Sequence, residues 1–240
     1  MKMKRAIIIG ASSGIGAEMA KQLSSKGYQL GLMARRKNLL EDLVSNFEGE
    51  HQVMPIDLRN FEEAEQQMNK MITLLGDVDL VVLNSGVGAQ EYQLDWMYQK
   101  QVIDVNVSGL VLMSTMSMEY FIKRGKGHIV GVSSIAAHVS TGLALTYCAS
   151  KAFVSSYLNG LRSRARNSKL PITITTIEPG YVDTPMVKGS PPWTASVDKA
   201  VKQMIAGIES KRQHIFITRR YRFVVWMLKL IPNWIIQRYV

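Results

Sequence analysis

The start of the chain limits its fold more than any other segment. The apolar run Arg5-Ala6-Ile7-Ile8-Ile9 goes straight into Gly10-Ala11-Ser12-Ser13-Gly14-Ile15-Gly16, and helical periodicity resumes at Ala17. A buried strand that turns on glycines into a helix is the opening of a βαβ crossover. The alternation continues. Further strands are predicted at Tyr28–Met33, Gln52–Ile56, Leu80–Leu83, His128–Val132, Ile172–Ile177 and His214–Ile217. Between them the spacing predicts helices at Ala17–Lys26, Leu39–Phe47, Phe61–Leu75, a long helical region Leu94–Lys123, Thr146–Asn167 and Ser196–Ser210. This is the pattern of an α/β chain: one doubly wound parallel sheet of about seven strands with helices on both faces. Its 240 residues suit one such domain. Periodicity alone leaves other α/β sheets open.

The glycines have a chemical reading. Gly10 permits a tight turn, Gly14 lets the backbone approach phosphate oxygens, and Gly16 allows close helix–strand packing. The helix N-terminus then offers free N–H groups to a pyrophosphate. Ser12, Ser13 and Ile15 lie in the same loop and are expected to bind with it. The spacing is G-x3-G-x-G, and a plain strand–helix turn is the competing reading. The second strand runs into Ala34-Arg35-Arg36-Lys37. No carboxylate stands there to take a free ribose 2′-hydroxyl, whereas an arginine can pair bidentately with a 2′-phosphate. This favours NADP(H) over NAD(H), with Arg35 the first candidate and Arg36 the second. A solvated basic loop is the bland alternative.

Tyr147-Cys148-Ala149-Ser150-Lys151 places a tyrosine and a lysine four residues apart, on one face of a helix. A phenol with a pKa of about 10 is a poor acid/base near neutrality, and a neighbouring ammonium lowers that value. Taken alone the pair is weak. Its neighbourhood adds weight, because parallel sheets bind ligands beyond the carboxyl ends of their strands. The fifth strand ends in Ser133-Ser134, the fourth in Asn84-Ser85-Gly86, and the sixth in Glu178-Pro179-Gly180. Asn106 lies in Asp104-Val105-Asn106-Val107-Ser108-Gly109.

With these segments in this order, the sequence resembles the short-chain dehydrogenase/reductase family over roughly residues 5–218. Ser85 is a departure, since the family usually has alanine there. The resemblance implies a single-domain Rossmann fold over 1–218, with 219–240 as an extra segment. It also implies an oxidoreductase that interconverts a ketone and a secondary alcohol. In that reading Tyr147 is the acid/base, Ser134 polarises the reacting oxygen, and Lys151 lowers the tyrosine pKa and holds the nicotinamide ribose. Asn106 anchors a proton-relaying water. Asp57 and Leu58 meet the adenine, Asn84 and Gly86 line the cofactor, and Pro179 and Gly180 sit by the nicotinamide, with Thr184 reaching its carboxamide or the phosphates. Ser133 is an alternative hydroxyl, Cys148 reads as a packing residue, and His138 reads as a structural or surface residue, with the substrate cleft as the other reading. A second reading is a non-catalytic NADP(H)-binding sensor or scaffold that docks on membranes. The family also implies a homodimer or homotetramer paired through the two long helices.

Charge is concentrated at the end of the chain. The net charge is +10, yet residues 210–240 hold seven basic residues and no acidic one, so residues 1–209 carry only +3. That argues against nucleic acid as a partner. Phe223-Val224-Val225-Trp226-Met227-Leu228, Pro232, Asn233 and Trp234 read as a helix broken by proline and restarted by an asparagine cap. Basic residues beside tryptophans fit peripheral contact with an anionic membrane surface. Packing on a partner subunit or over the substrate cleft is the other reading. No signal peptide or membrane span is read, so a cytoplasmic protein, associated through its tail with the inner face of a membrane, is expected. One cysteine and four scattered histidines give no metal-ligand spacing.

Overall fold

A computed structural model describes residues 3–88, 91–187, 189, 191 and 193–228, the last without its side chain. Seven strands form one parallel sheet: β1 (Arg5–Ile9), β2 (Gln29–Ala34), β3 (Gln52–Pro55), β4 (Leu80–Leu83), β5 (Gly127–Val132), β6 (Ile172–Pro179) and β7 (His214–Ile217). Their order is β3-β2-β1-β4-β5-β6-β7. The doubly wound α/β sheet expected above is therefore present. The order reverses between β1 and β4, and such a reversal opens a crevice at the carboxyl ends of the strands.

Side chains alternate across the sheet with period two. Ile8, Leu32 and Val82 point to one face, where α1 (Gly14–Ser24) and α7 (Val197–Glu209) cover them with Met19, Leu23 and Met204. Ile7, Ile9 and Val81 point to the other face. There α3 (Phe61–Leu75), α5 (Gly109–Arg124) and α6 (Leu145–Asn167) bring Met68, Met71, Phe121 and Leu158. The short α2 (Lys37–Val44) contributes Leu40 to the first face. Burying such a side chain contributes about 1.5–3 kcal/mol, so both layers are mainly apolar.

The long helical region differs from its prediction. It starts at Trp96 with α4 (Trp96–Ile103), whose N-cap Asp95 accepts from the Met97 backbone at 2.9 Å. A π turn, Asp104–Ser108, then separates α4 from α5. The wider π ring places an extra residue in the turn. Asn106 sits at its centre, and the reason is tertiary. Its side chain grips the Val87 backbone from both sides, with Val87 N donating to Oδ1 at 2.8 Å and Nδ2 donating to Val87 O at 2.9 Å.

Beyond β7 the chain does not leave the domain at once. Helix α8 (Tyr221–Leu228) buries Tyr221 and Val225 and exposes Phe223, Trp226 and Met227. A short 3-10 turn, Ile135–His138, lies beneath it. The proline break at Pro232, the cap at Asn233, and Lys229, Trp234 and Arg238 lie outside the described residues, as do Lys188, Ser190 and Pro192 of the loop after β6. Among the described residues no helix is long and apolar enough to cross a membrane.

Candidate active site

The crevice is lined along its length by loops that follow β1 to β6. Its outer end is made of backbone. Gly10 has φ +89°, and a Cβ there would come within 2.6 Å of the Ser85 nitrogen. At Gly16 a Cβ would collide with the Gly10 carbonyl, and it would lie 2.6 Å from Asn84 Nδ2. Asn84 uses that group to donate to Gly10 O at 2.9 Å, which locks the loop onto β4. Gly14 has φ +55°, and a Cβ there would lie 3.2 Å from the Thr184 methyl group. Only glycine gives the loop this shape, and the start of α1 follows it directly.

Next to the loop stands a basic pair. Arg36 Nη2 donates to Ser12 Oγ at 3.1 Å and to Ser13 Oγ at 3.0 Å, so its guanidinium reaches across the glycine loop. Arg35 is exposed on the same rim, while Lys37 turns away to Glu41 at 3.0 Å. Asp57 lines the wall beyond them with Leu58. Hydrogen bonds from Arg59 hold its carboxyl below the ordinary value, against a smaller opposing effect of burial. Arg59 was not identified from the sequence, because no spacing rule ties it to the loop.

The inner end is made of side chains. Ser134 is the N-cap of the 3-10 turn, accepting from Ala136 N at 3.1 Å, and it hydrogen-bonds to the phenol of Tyr147. Tyr147 lies at the start of α6 against Gly88, where a Cβ would strike its ring. Buried Glu91 caps that helix start, accepting from Thr146 N at 3.1 Å. Lys151, one turn on, is buried with its Nζ 5.7 Å from the centre of the Tyr147 ring, and it donates to Val132 O at 3.0 Å. Burial lowers the Lys151 ammonium to about 8. It pushes the Tyr147 phenol up, with the Ser134 hydrogen bond opposing and Cys148 and Tyr98 adding to the rise. In the free chain burial is the largest influence on the phenol, which is protonated at neutral pH.

The residues expected from the sequence meet in one place. Gly10, Ser12, Ser13, Gly14, Ile15, Arg35, Arg36, Asp57 and Leu58 line the outer half. Asn84, Gly86, Ser134, Tyr147, Lys151, Pro179, Gly180 and Thr184 line the inner half. Gly16 and Asn106 stand behind the wall and shape it. Asn106 Nδ2 also donates to Ser150 Oγ at 2.9 Å, so its side chain is used within the protein. Ser133 also lines the crevice, but its hydroxyl is engaged within the protein, donating to Lys151 O at 2.9 Å. Cys148 is buried, which raises its thiol, in keeping with a packing role. No three metal-ligating side chains gather among the described residues.

A glycine-cradled crevice at the strand-order reversal, with serine, tyrosine and lysine at its inner end, defines a Rossmann-type fold. The profile of the short chain dehydrogenase family matches residues 4–195, and the chain belongs to that family. It is thus an oxidoreductase built on an NAD(P)-binding fold. It is 31% identical over 216 residues to an uncharacterized oxidoreductase of Mycobacterium tuberculosis, covering 86% of this chain and 85% of that one. Among solved structures it is similar to a short-chain dehydrogenase from Sphingobium yanoikuyae in complex with NADPH. The TM-score is 0.82 at 21% identity, over 95% of this chain and 94% of that one. A short-chain dehydrogenase/reductase from Burkholderia phymatum in complex with NAD gives 0.83 at 21% identity, over 93% and 92%.

Proposed function

We propose that the chain is an NADP(H)-dependent reductase that interconverts a ketone and a secondary alcohol on an apolar, lipid-like molecule. The observation that carries this reading is one crevice with Arg36 on its glycine loop and Ser134, Tyr147 and Lys151 at its inner end. The residues fit the cofactor chemically, with a backbone N–H cradle for pyrophosphate and two guanidiniums where a 2′-phosphate would stand. Gly10 to Gly16 would hold the pyrophosphate, and Arg36 with Arg35 the 2′-phosphate. Asp57 and Leu58 would hold the adenine. Asn84, Gly86, Pro179, Gly180 and Thr184 would hold the nicotinamide half. The bound cofactor supplies the hydride.

The chain's own residues handle the proton. Tyr147, protonated in the free chain, donates to the carbonyl oxygen of the substrate. Ser134 donates a second hydrogen bond to the same oxygen as its charge develops. Lys151 places a positive charge behind the phenol, and Asn106 keeps the Val87 backbone and α6 in register with it. Exposed apolar side chains support the apolar substrate: Leu143, Tyr181, Met186 and Trp193 lie on loops after β5 and β6, Leu145 opens α6, and Met186 also lines the crevice.

The C-terminal segment 219–240 is read as a peripheral membrane contact. The exposed face of α8 carries Phe223, Trp226 and Met227 beside Arg219, Arg220 and Arg222. Self-pairing of this face would bring like charges together, which disfavours it as a subunit interface. Assembly into a homodimer or homotetramer is read through α5 and α6, the two long helices. An NADPH-oxidation screen with long-chain keto-lipids, with and without anionic vesicles, tests the reading. Turnover with NADPH exceeding that with NADH, and rising with vesicles, is expected. No nicotinamide-cofactor binding by calorimetry would overturn the enzyme reading. Equal vesicle binding by the full chain and a version ending at Thr218 would overturn the membrane reading.

A further inference from the structure

One buried cluster behind the crevice is not used by the proposed chemistry. Glu178, next to last in β6, has no exposed surface. Its Oε1 accepts from Ser155 Oγ at 2.6 Å. Its Oε2 lies 2.7 Å from His138 Nε2 and 3.1 Å from His214 Nε2. Burial by itself would raise the carboxyl, but hydrogen bonds from His138, His214 and Ser155 outweigh it and hold the group at about 2. A buried anion would be expensive without partners, and here each oxygen has at least one.

What matters is where the partners lead. His138 is the last residue of the 3-10 turn that Ser134 caps, so the serine-bearing turn is tied down at its far end by Glu178. Ser155 is one turn after Lys151 on α6, and its Oγ lies 2.8 Å from Ser133 Oγ. With the Ser155 proton on Glu178, Ser133 has one proton to share between Ser155 Oγ and the Lys151 carbonyl at 2.9 Å, and it directly precedes Ser134. Pro179, which follows Glu178, offers its carbonyl to Ser134 Oγ at 3.5 Å. One carboxylate therefore joins β5, β6, β7, the serine turn and α6 at the point where Ser134 and Tyr147 must meet.

We propose that Glu178 is a positioning residue for the proton-transfer step, fixing Ser134 against Tyr147 through His138 and through the Ser155–Ser133 pair. This rests on the reductase reading for its consequence in turnover, but its geometry can be tested without turnover. Around Tyr147 the other titratable groups are Lys151, Cys148 and Tyr98. None of them changes in the variants below, so a shift in the tyrosine reports on Ser134. Losing the serine hydrogen bond raises the phenol pKa. Simply removing the negative charge of Glu178 would lower it. The two effects have opposite signs.

The experiment compares wild type, Glu178→Gln and His138→Ala, using full-length chain that melts cooperatively. Three quantities are read: the Tyr147 midpoint by ultraviolet difference titration against Tyr147→Phe, the NADPH dissociation constant by fluorescence, and kcat against pH. In both variants the Tyr147 midpoint is expected to move upward, with NADPH affinity within about two-fold. Where wild type turns over, kcat is expected to fall roughly ten-fold or more, as for a misplaced catalytic group. His138→Ala keeps the carboxylate and carries the same test if Glu178→Gln does not fold. An unchanged or lowered Tyr147 midpoint would overturn the proposal. Absence of turnover in wild type would instead count against the reductase reading and leave the titration to decide this one.

Discussion

The two ends of the crevice are built by opposite means. The outer end is backbone: Gly10, Gly14 and Gly16 give a loop in which any Cβ at 10 or 16 would meet Ser85 or the Gly10 carbonyl. The inner end is side chain: Ser134 follows β5, Tyr147 and Lys151 lie on α6, and Asn106, Glu91 and Glu178 of other segments hydrogen-bond to residues around them. A backbone site depends on local conformation and tolerates no added atoms. A side-chain site depends on burial and on distant partners, and its groups can be altered while the fold survives.

That contrast can be broken at the inner end first. Tyr147→Phe removes one hydroxyl and no packing. Turnover is expected to fall by about 100-fold to 10,000-fold, the usual contribution of a positioned acid. NADPH affinity should hold, and single-turnover kinetics with fluorescence titration checks both. Undiminished turnover would remove Tyr147 from the chemistry.

Lys151 offers a second test, through pH. Burial lowers its pKa to about 8 from the ordinary 10.5. Below that range both folded and unfolded chains carry the proton, and the cost of burying the charge is present in full. Between pH 8 and 10.5 the unfolded chain binds more protons, so stability rises with pH, by on the order of 3 kcal/mol. Denaturant midpoints across that window should show the rise in wild type. In Lys151→Met the lysine's share of it should be missing, and parallel curves would refute the buried ammonium.

At the outer end a single methyl group is the probe. Gly16→Ala places a Cβ onto the Gly10 carbonyl and is expected to cost about 1–3 kcal/mol of stability, with a matching loss of cofactor affinity. Arg36→Ala should weaken NADPH about ten-fold and NADH little, as expected for one charged hydrogen-bonding partner. Equal losses for the two cofactors would mean that Arg36 only braces Ser12 and Ser13. The smallest effect, with opposite sign, is expected at Gly160. It is exposed within α6 and a Cβ there meets nothing within 4 Å, so Gly160→Ala should stabilise by roughly 0.5–1 kcal/mol. Thermal melts of Gly16→Ala and Gly160→Ala side by side separate a glycine kept for shape from one that is not.

How legible each part was follows the same division. The strand–glycine–helix unit is contiguous, so its role can be read from seven residues. The alternation of apolar runs and amphipathic stretches likewise announces the parallel sheet, since the faces of strands and helices are local periodicities. The π turn at Asp104–Ser108 was not legible, because its central residue is drawn out of helical register by Val87, 19 positions earlier. His138 reads from sequence as structural, surface or cleft-facing, and its partner Glu178 cannot be named that way. Glu178 gathers His138, Ser155 and His214 from three other elements, and nothing in the spacing of those four residues marks them as a set.

The tail shows where local reading stops. By sequence it is a basic, aromatic segment appended to a nearly neutral chain. Tertiary structure divides it, with the Tyr221 ring filling the space beside Gly180 and edge-on to Trp193, and Phe223 and Trp226 left facing out. Residue order and period alone therefore determined the layered α/β architecture, the cofactor loop, and the serine, tyrosine and lysine expected to react. Which serine hydroxyl meets the phenol, which arginine crosses the glycine loop, and which carboxylate holds the serine turn were decided only on folding. Those choices depend on distances between residues far apart in the chain, and burial sets their energies.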